Sequence, residues 1–210
     1  QDMGMDYIGP YTFSAARLAL GFLTLLPFFF IFEFKKVKET KLNFKIIIGY
    51  LFFLGFFLAG GNIFQQISLI YTDVANSAVF TVLYVVIVPI IAYFLFSNKI
   101  HSSVWPSVLM CLIGGLLLSE LDNLRVRYGD SLVVIGAFFW AFHIVFISKF
   151  LKIFNFPITI ATFQCLGAAL ISFIPAFSFE YISFKVLSME ATELLYAGVL
   201  SSGVAFMLQI

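Results

Sequence analysis

Charge is scarce in this 210-residue chain: 12 Lys and Arg and 11 Asp and Glu make up 11% of it. A water-soluble domain is about a quarter charged and about half apolar. Here apolar residues reach 62% and the mean hydropathy is +1.06, more apolar surface than a soluble fold of this length can hide. The net charge of +1 leaves no basic stripe for a nucleic acid. The 29 Phe are not interleaved with basic residues, so they suit lipid contact rather than base stacking. Cysteine is nearly missing. Cys111 and Cys165 fall inside apolar runs, with no CxxC spacing and no His at zinc-ligand distance, so neither a disulfide scaffold, a metal site nor a cofactor is expected. Carboxylates are absent from the middle of every apolar run: Glu33, Asp73, Glu120 and Asp130 all sit at run ends. The common proton carriers of membrane pumps are therefore missing from the spans. No Walker motif is present, so ATP does not drive this chain directly, and HExxH and GxSxG are absent too. No enzyme is expected.

What the chain has is long apolar runs. They predict an all-α multi-pass membrane protein with seven spans, at about 10–32, 44–70, 74–96, 105–119, 131–151, 157–179 and 191–210. Each has roughly the 17–25 residues a bilayer needs, the fourth being at the short end. A membrane barrel would need polar and apolar residues to alternate, and these runs are continuously apolar. Lys35, Lys36, Lys38, Lys41, Lys45, Lys99, Lys149 and Lys152 lie in one set of alternate loops, and Arg125, Arg127 and Lys185 in the other. The richer set is expected on the cytosolic side, in a bacterial plasma membrane.

The stretch GGNIFQQISLIYTDVANSAVFTVLYVVIVP (60–89) organises the rest. It reads as two apolar helices joined at Tyr71-Thr72-Asp73. Asn62, Gln65 and Gln66 share a face of the first, and Ser77, Thr81 and Tyr84 share a face of the second. Such residues either line a polar route for a solute or tie helices together, at about 1 kcal/mol or less per bond. Asn76 is placed to cap the second helix. Pro89 leaves the Val85 carbonyl without its helical donor and marks either a gating hinge or a static kink. Arg17 lies about two turns into the first span, on a face with Ser14, Gly21 and Thr24. Intramembrane arginine is costly and faces a partner or a wet cavity. It would bind a solute carboxylate or phosphate, or serve as a structural arginine near the outer interface. His143 would carry a coupling proton or bond a neighbouring helix, and Trp140, one turn away, would stack on a solute or simply pack. Ala15/Ala19 and Ala137/Ala141 are small-xxx-small pairs suited to close helix contact.

The chain also repeats itself. LFFLGFFLAGGNIFQQI (51–67) aligns without gaps on LLYAGVLSSGVAFMLQI (194–210), setting Gly55 against Gly198, Gly60 against Gly203 and Gln66 against Gln209. At nearly the same offset Pro10, Thr12 and Arg17 meet Pro157, Thr159 and Gln164. The aligned spans are an odd number of helix steps apart, so the second copy is expected to be inverted, as in transporters with a central site. The expected division is a first repeat at 1–121 lacking its first helix, and a second at 122–210 truncated within its third. Roughly 20 residues would precede the first copy and roughly 50 would follow the second, in a molecule of ten spans.

GMDYIGPYTFSAARLALGFLTLLP (4–27), YTDVANSAVFTVLYVVIVPIIAYFLF (71–96) and the Gly114-Gly115 helix carry a resemblance to the EamA family of the drug/metabolite transporter superfamily. The matching order is an arginine in the second helix, a short turn with an alanine-rich entry to the fourth, and a proline in that helix. The resemblance covers most of the chain. It implies two inverted five-helix repeats, a central cavity, alternating access, and solutes such as amino acids, other small metabolites, sugars or toxic compounds, often moved outward. The chain departs where the family often has an acidic residue before a basic one: Asn98 precedes Lys99, so no local ion pair is expected at that corner.

The expected function is secondary transport of a small polar metabolite, amino-acid-like or related, by alternating access and in the export direction. The candidate cavity residues are Arg17, Asn62, Gln65, Gln66, Ser77, Thr81, Tyr84, Trp140, His143, Gln164 and Gln209. The expected partners are a small-molecule solute and the lipid bilayer, with a homodimer left open and no nucleic acid. Two other classes stay in view: an intramembrane lipid-modifying enzyme, for which His143 lacks a convincing acid/base partner, and a membrane assembly subunit without transport.

Overall fold

A computed structural model describes residues 8–40, 44–97, 100–118 and 127–209, without the side chains of residues 44 and 45. The charges expected to orient the loops at Lys41, Lys45, Lys99 and Arg125, the Asn98 departure, Glu120 and the last residue of the repeat alignment lie outside the described residues. The described residues contain no strand. The helices are α1 (Pro10–Phe32), α2 (Phe34–Glu39), α3 (Phe44–Ser68), α4 (Val74–Val82), α5 (Tyr84–Phe96), α6 (Val104–Leu118), α7 (Tyr128–Phe154), α8 (Pro157–Phe179), α9 (Phe184–Met189), α10 (Ala191–Leu195), a π segment (Tyr196–Val204) and α11 (Ala205–Gln209). Among the described residues six stretches are long and apolar enough to cross a membrane: Pro10–Phe32, Ile46–Ser68, Val74–Phe96, Tyr128–Phe154, Pro157–Phe179 and Ala191–Gln209. The remaining expected span is α6, an apolar helix of 15 residues as described; the end of that expected span lies outside the described residues.

The chain divides into two compact units, Gln1–Ala59 with Phe146–Ile210, and Gly60–Val145. In the first, α1 packs most extensively on α8. Both helices open with proline at the first position, Pro10 and Pro157, where the missing N–H is not needed. The next two amides of each are captured by a glutamate just beyond the end of the other helix. Glu33 accepts from the N–H of Ile158 (3.2 Å) and of Thr159 (2.7 Å), and from the Thr159 hydroxyl (2.6 Å). Glu180 accepts from the N–H of Tyr11 (3.0 Å) and of Thr12 (2.7 Å). The two helices therefore run antiparallel and cap each other. A carboxylate at a helix N-terminus satisfies orphan donors and meets the positive end of the helix dipole. The offset that sets Pro10 against Pro157 also sets Glu33 against Glu180.

The packing follows the same offsets. Leu51 and Leu54 of α3 cluster with Ile160 of α8 and with Ile147, Phe150 and Phe154 of α7. Their sequence counterparts Leu194, Ala197 and Phe13 form a second cluster with Ile8. Gly55 lies against the backbone of Gly167 and Ala168, and Gly198 against Leu20 and the Arg17 carbonyl. Gly9 is needed for space, since its φ of −74° suits any residue. A Cβ there would stand 2.2 Å from the Glu180 carboxyl. Gly9→Ala is therefore expected to dislodge Glu180 and lower the melting temperature of the detergent-solubilised protein. Gly49→Ala has open space in mid-helix and should be neutral or slightly stabilising.

In the second unit, the end of α3 turns through hydrogen bonds from the N–H of Tyr71 and Thr72 to the Ser68 carbonyl, both 2.9 Å. Asp130, in the first turn of α7, clasps this corner. Its carboxylate accepts from the Thr72 hydroxyl (2.5 Å) and from the Arg127 N–H (2.7 Å). Arg127 also pairs with Asp73 at 2.6 Å, an exposed contact worth little by itself. Asp73 takes the N-cap position of α4 without a side-chain cap bond. Asn76 is buried and makes no cap, because it lies inside the first turn rather than before it. The expected continuous helix over 74–96 is interrupted at Leu83. There φ is −56° and ψ −25°, and the Leu83 N–H bonds the Phe80 carbonyl while the Val86 N–H bonds that of Leu83. This is one tight 3₁₀-like turn. It lies upstream of Pro89, which stays inside α5.

Candidate functional site

The candidate residues fall into two groups, one in each unit. The first contains Arg17, Gln164 and Gln209. Arg17 is only 3% exposed, on an α1 face that also carries buried Ser14 and Gly21. The π segment covers this face. Added Cβ atoms at Gly21 and Gly203 would stand 2.9 Å from Ser202 and Thr24 respectively, so only small residues allow the contact. On α8, Gln164 and Cys165 are fully buried. The Cys165 thiol donates weakly to the Ser202 carbonyl at 3.9 Å, and Arg17 lies within electrostatic reach of Cys165. The hydroxyls of Ser14 and Ser202 are buried with no hydrogen-bond partner among the described residues. A guanidinium buried on this face offers a planar fork of donors suited to a carboxylate or phosphate. Gln209 on α11 is exposed, whereas its aligned residue Gln66 is buried.

The second group contains Asn62, Gln65, Gln66, Ser77, Thr81, Tyr84, Trp140 and His143. Asn62 and Gln66 are each 1% exposed. Gln65 is half-buried and donates to the Thr81 hydroxyl oxygen at 3.4 Å, while that hydroxyl donates to the Ser77 carbonyl at 2.7 Å. The Ser68 and Ser77 hydroxyls meet at 3.5 Å. The face read from the sequence thus splits: Gln65, Ser77 and Thr81 tie α3 to α4, and Asn62 and Gln66 point into a buried region of the unit. Tyr84 is half-buried, just past the Leu83 interruption. His143 is fully buried, with its ring edge-on to Trp140 at 5.9 Å. Gly61 and Gly136 bring α3 close to α7 here; a Cβ on Gly61 would stand 3.0 Å from the Trp140 indole nitrogen. Pro89 lies half-buried in α5.

Sequence reasoning missed three features. Glu33 reads in the sequence as a run-end carboxylate and Glu180 draws no notice, and neither reads as a reciprocal cap. Ser14 is read on the Arg17 face but not as a candidate residue, and Ser202 carries no motif. The π segment has the same apolar pattern as a regular helix, and only its run of small residues, GVLSSGV, hints at it. Among the described residues no group of three or more His, Cys, Asp or Glu is placed to hold a metal.

Comparison with known proteins adds an independent line. The sequence pattern of the EamA-like transporter family matches residues 1–120 and 127–210. A protein of Archaeoglobus fulgidus named as an uncharacterized transporter is 28% identical over 207 residues, covering 99% of this chain and 61% of its own length. An Arabidopsis thaliana protein named as a purine permease is 27% identical over 120 residues, covering 56% of this chain and 32% of its own. The chain thus spans less than two thirds of either relative. The crystal structure of another protein superposes with a TM-score of 0.74 at 18% identity, covering 99% of this chain and 72% of that one; it shares the fold.

Proposed function

This chain belongs to the EamA-like transporter family and is a multi-pass helical membrane protein, not an enzyme; from that premise we propose that the whole protein is a secondary transporter of a small polar metabolite. The observation that carries this reading is the burial of Arg17 at 3% exposure, on the α1 face that also carries buried Ser14 and that meets Ser202 at Gly21. A cation buried in the membrane interior is expensive, and such residues face a partner or a wet cavity and mark solute pathways. The solute would present a carboxylate or phosphate to Arg17. Within the second unit, the buried amides of Asn62 and Gln66, with donors and acceptors both, are a further place suited to a polar solute, and His143 would carry any coupling proton. The two repeats at 1–121 and 122–210 would alternate access about this site, with Leu83 or Pro89 as a flexing point and export from a bacterial cytosol as the direction. The reciprocal caps favour α1 and α8 as the part that stays together during that motion.

An amino-acid-like solute fits the guanidinium best. The relationship to a protein named as a purine permease favours a nucleobase as the second candidate, which would use the amides and Trp140 more than Arg17. The test is a thermal-shift screen of the full-length protein against amino acids, purines and sugars. A specific ligand at a hundred times its Kd raises the stability by about 2.7 kcal/mol. Amino acids are expected to shift the wild type and to lose that effect in Arg17→Met. A purine response that Arg17→Met leaves intact would favour the second candidate, and no response to any class would count against both.

A further inference from the structure

The first unit carries a cleft of about 600 Å³ that none of the candidate solute residues lines. Its walls are apolar, among them Phe30, Phe34, Ile48, Phe52 and Phe163, from α1, α2, α3 and α8. Among the described residues the one charged residue on its lining is Lys38 of α2. Phe30, Phe34, Ile48 and Phe52 remain exposed, so the cleft opens sideways, where a bilayer would lie. The volume falls within the range of ligand pockets, and the shape of the chemistry is an apolar slot with a cation at one end.

The position of that cation matters. Glu33 joins the end of α1 to the start of α8, so α2, the α7–α8 link and the entry to α3 all lie at one face of the membrane. Lys35, Lys36 and Lys38 of α2, and Lys149 and Lys152 at the end of α7, are all exposed at this face of the unit. On α2 the apolar Phe34 and Val37 also line the cleft, which fits a short helix lying at the membrane surface. We infer that this cleft is a binding site for an anionic phospholipid of the adjoining leaflet, with an acyl chain between Phe30, Phe52 and Phe163 and the headgroup phosphate at Lys38. Charge complementarity selects this occupant. A zwitterionic lipid gains little from a lysine cluster, whereas an anionic surface attracts each nearby basic residue. The site is independent of the solute reading, since it shares no residue with it.

Native mass spectrometry of the purified full-length protein tests this, with phosphatidylglycerol and phosphatidylcholine of matched acyl chains. Phosphatidylglycerol is expected to bind the more tightly. Lys38→Gln lies on the exposed surface and should fold normally; it is expected to weaken phosphatidylglycerol about fivefold, the loss of one basic charge at an anionic surface, and to leave phosphatidylcholine unchanged. Ile48→Trp, which fills the slot, is expected to weaken both lipids. Soluble glycerol phosphate should not compete, because it lacks the chain. Equal binding of the two lipids, indifference to Lys38→Gln, or displacement by glycerol phosphate would each overturn the assignment.

Discussion

Glu33→Ala is expected to lower the stability of the detergent-solubilised protein by about 3 kcal/mol, among the largest losses available from a single residue of this chain. Glu33 is 5% exposed and accepts three hydrogen bonds, from two amides and one hydroxyl at the start of α8. Removing it leaves those donors without their acceptor. An unsatisfied buried donor costs about 1–3 kcal/mol, and loss of a helix cap about 0.5–2 kcal/mol; the terms overlap, so they do not simply add. Glu33→Gln keeps one acceptor but loses the charge at the positive end of the helix, and should fall between wild type and alanine. Glu180→Ala should cost less, since Glu180 is half-buried and receives two bonds. The two caps stand at opposite ends of 23-residue helices, roughly 35 Å apart by the rise per residue, so the double mutant should show additive losses. Denaturant or thermal melts read each value. A Glu33→Ala protein that melts like wild type would mean that water replaces the carboxylate at no cost.

These caps also mark where the sequence stops being legible. Continuous apolar runs predict helices without ambiguity, because a bilayer demands that every backbone group be satisfied within the segment. The prolines at positions 10 and 157 predict two helix starts, and both are where they should be. The offset linking Leu51 to Leu194 reappears as two related clusters. What fails is anything set by a partner far along the chain. Glu33 reads as an interfacial carboxylate until Thr159, 126 residues away, is placed beside it. The Leu83 turn has neither Gly nor Pro at its position, and Pro89 drew attention to a later turn of the same helix. Gln65, Gln66 and Asn62 share a face by spacing. Spacing cannot tell that Gln65 finds Thr81 across the hairpin while the other two are buried. Candidate polar residues are therefore readable as a set, and their division between tying helices and meeting a solute is not.

Gln66→Leu and His143→Ala are each expected to reduce solute flux into proteoliposomes to the level of empty vesicles, while both proteins still insert and melt within a few degrees of wild type. Gln66→Leu keeps the side-chain bulk and removes an amide that is 1% exposed. If that amide only ties helices, its loss is worth about 1 kcal/mol or less, a small change in melting and none in transport. If it bonds the solute as the site changes access, the solute loses a buried partner in every intermediate, and the cost falls on the rate. His143→Ala separates two further roles. A histidine that carries a coupling proton makes flux depend on an imposed pH gradient, and alanine should erase that dependence along with uphill transport. A histidine that only supports Trp140, against which its ring stands edge-on at 5.9 Å, would lower flux alike with and without the gradient. His143→Gln distinguishes the cases, since it restores hydrogen bonding but not titration. Transport unchanged in both Gln66→Leu and His143→Ala would move the solute away from the second unit and leave Arg17, Ser14, Gln164 and Ser202 of the first as the place to look.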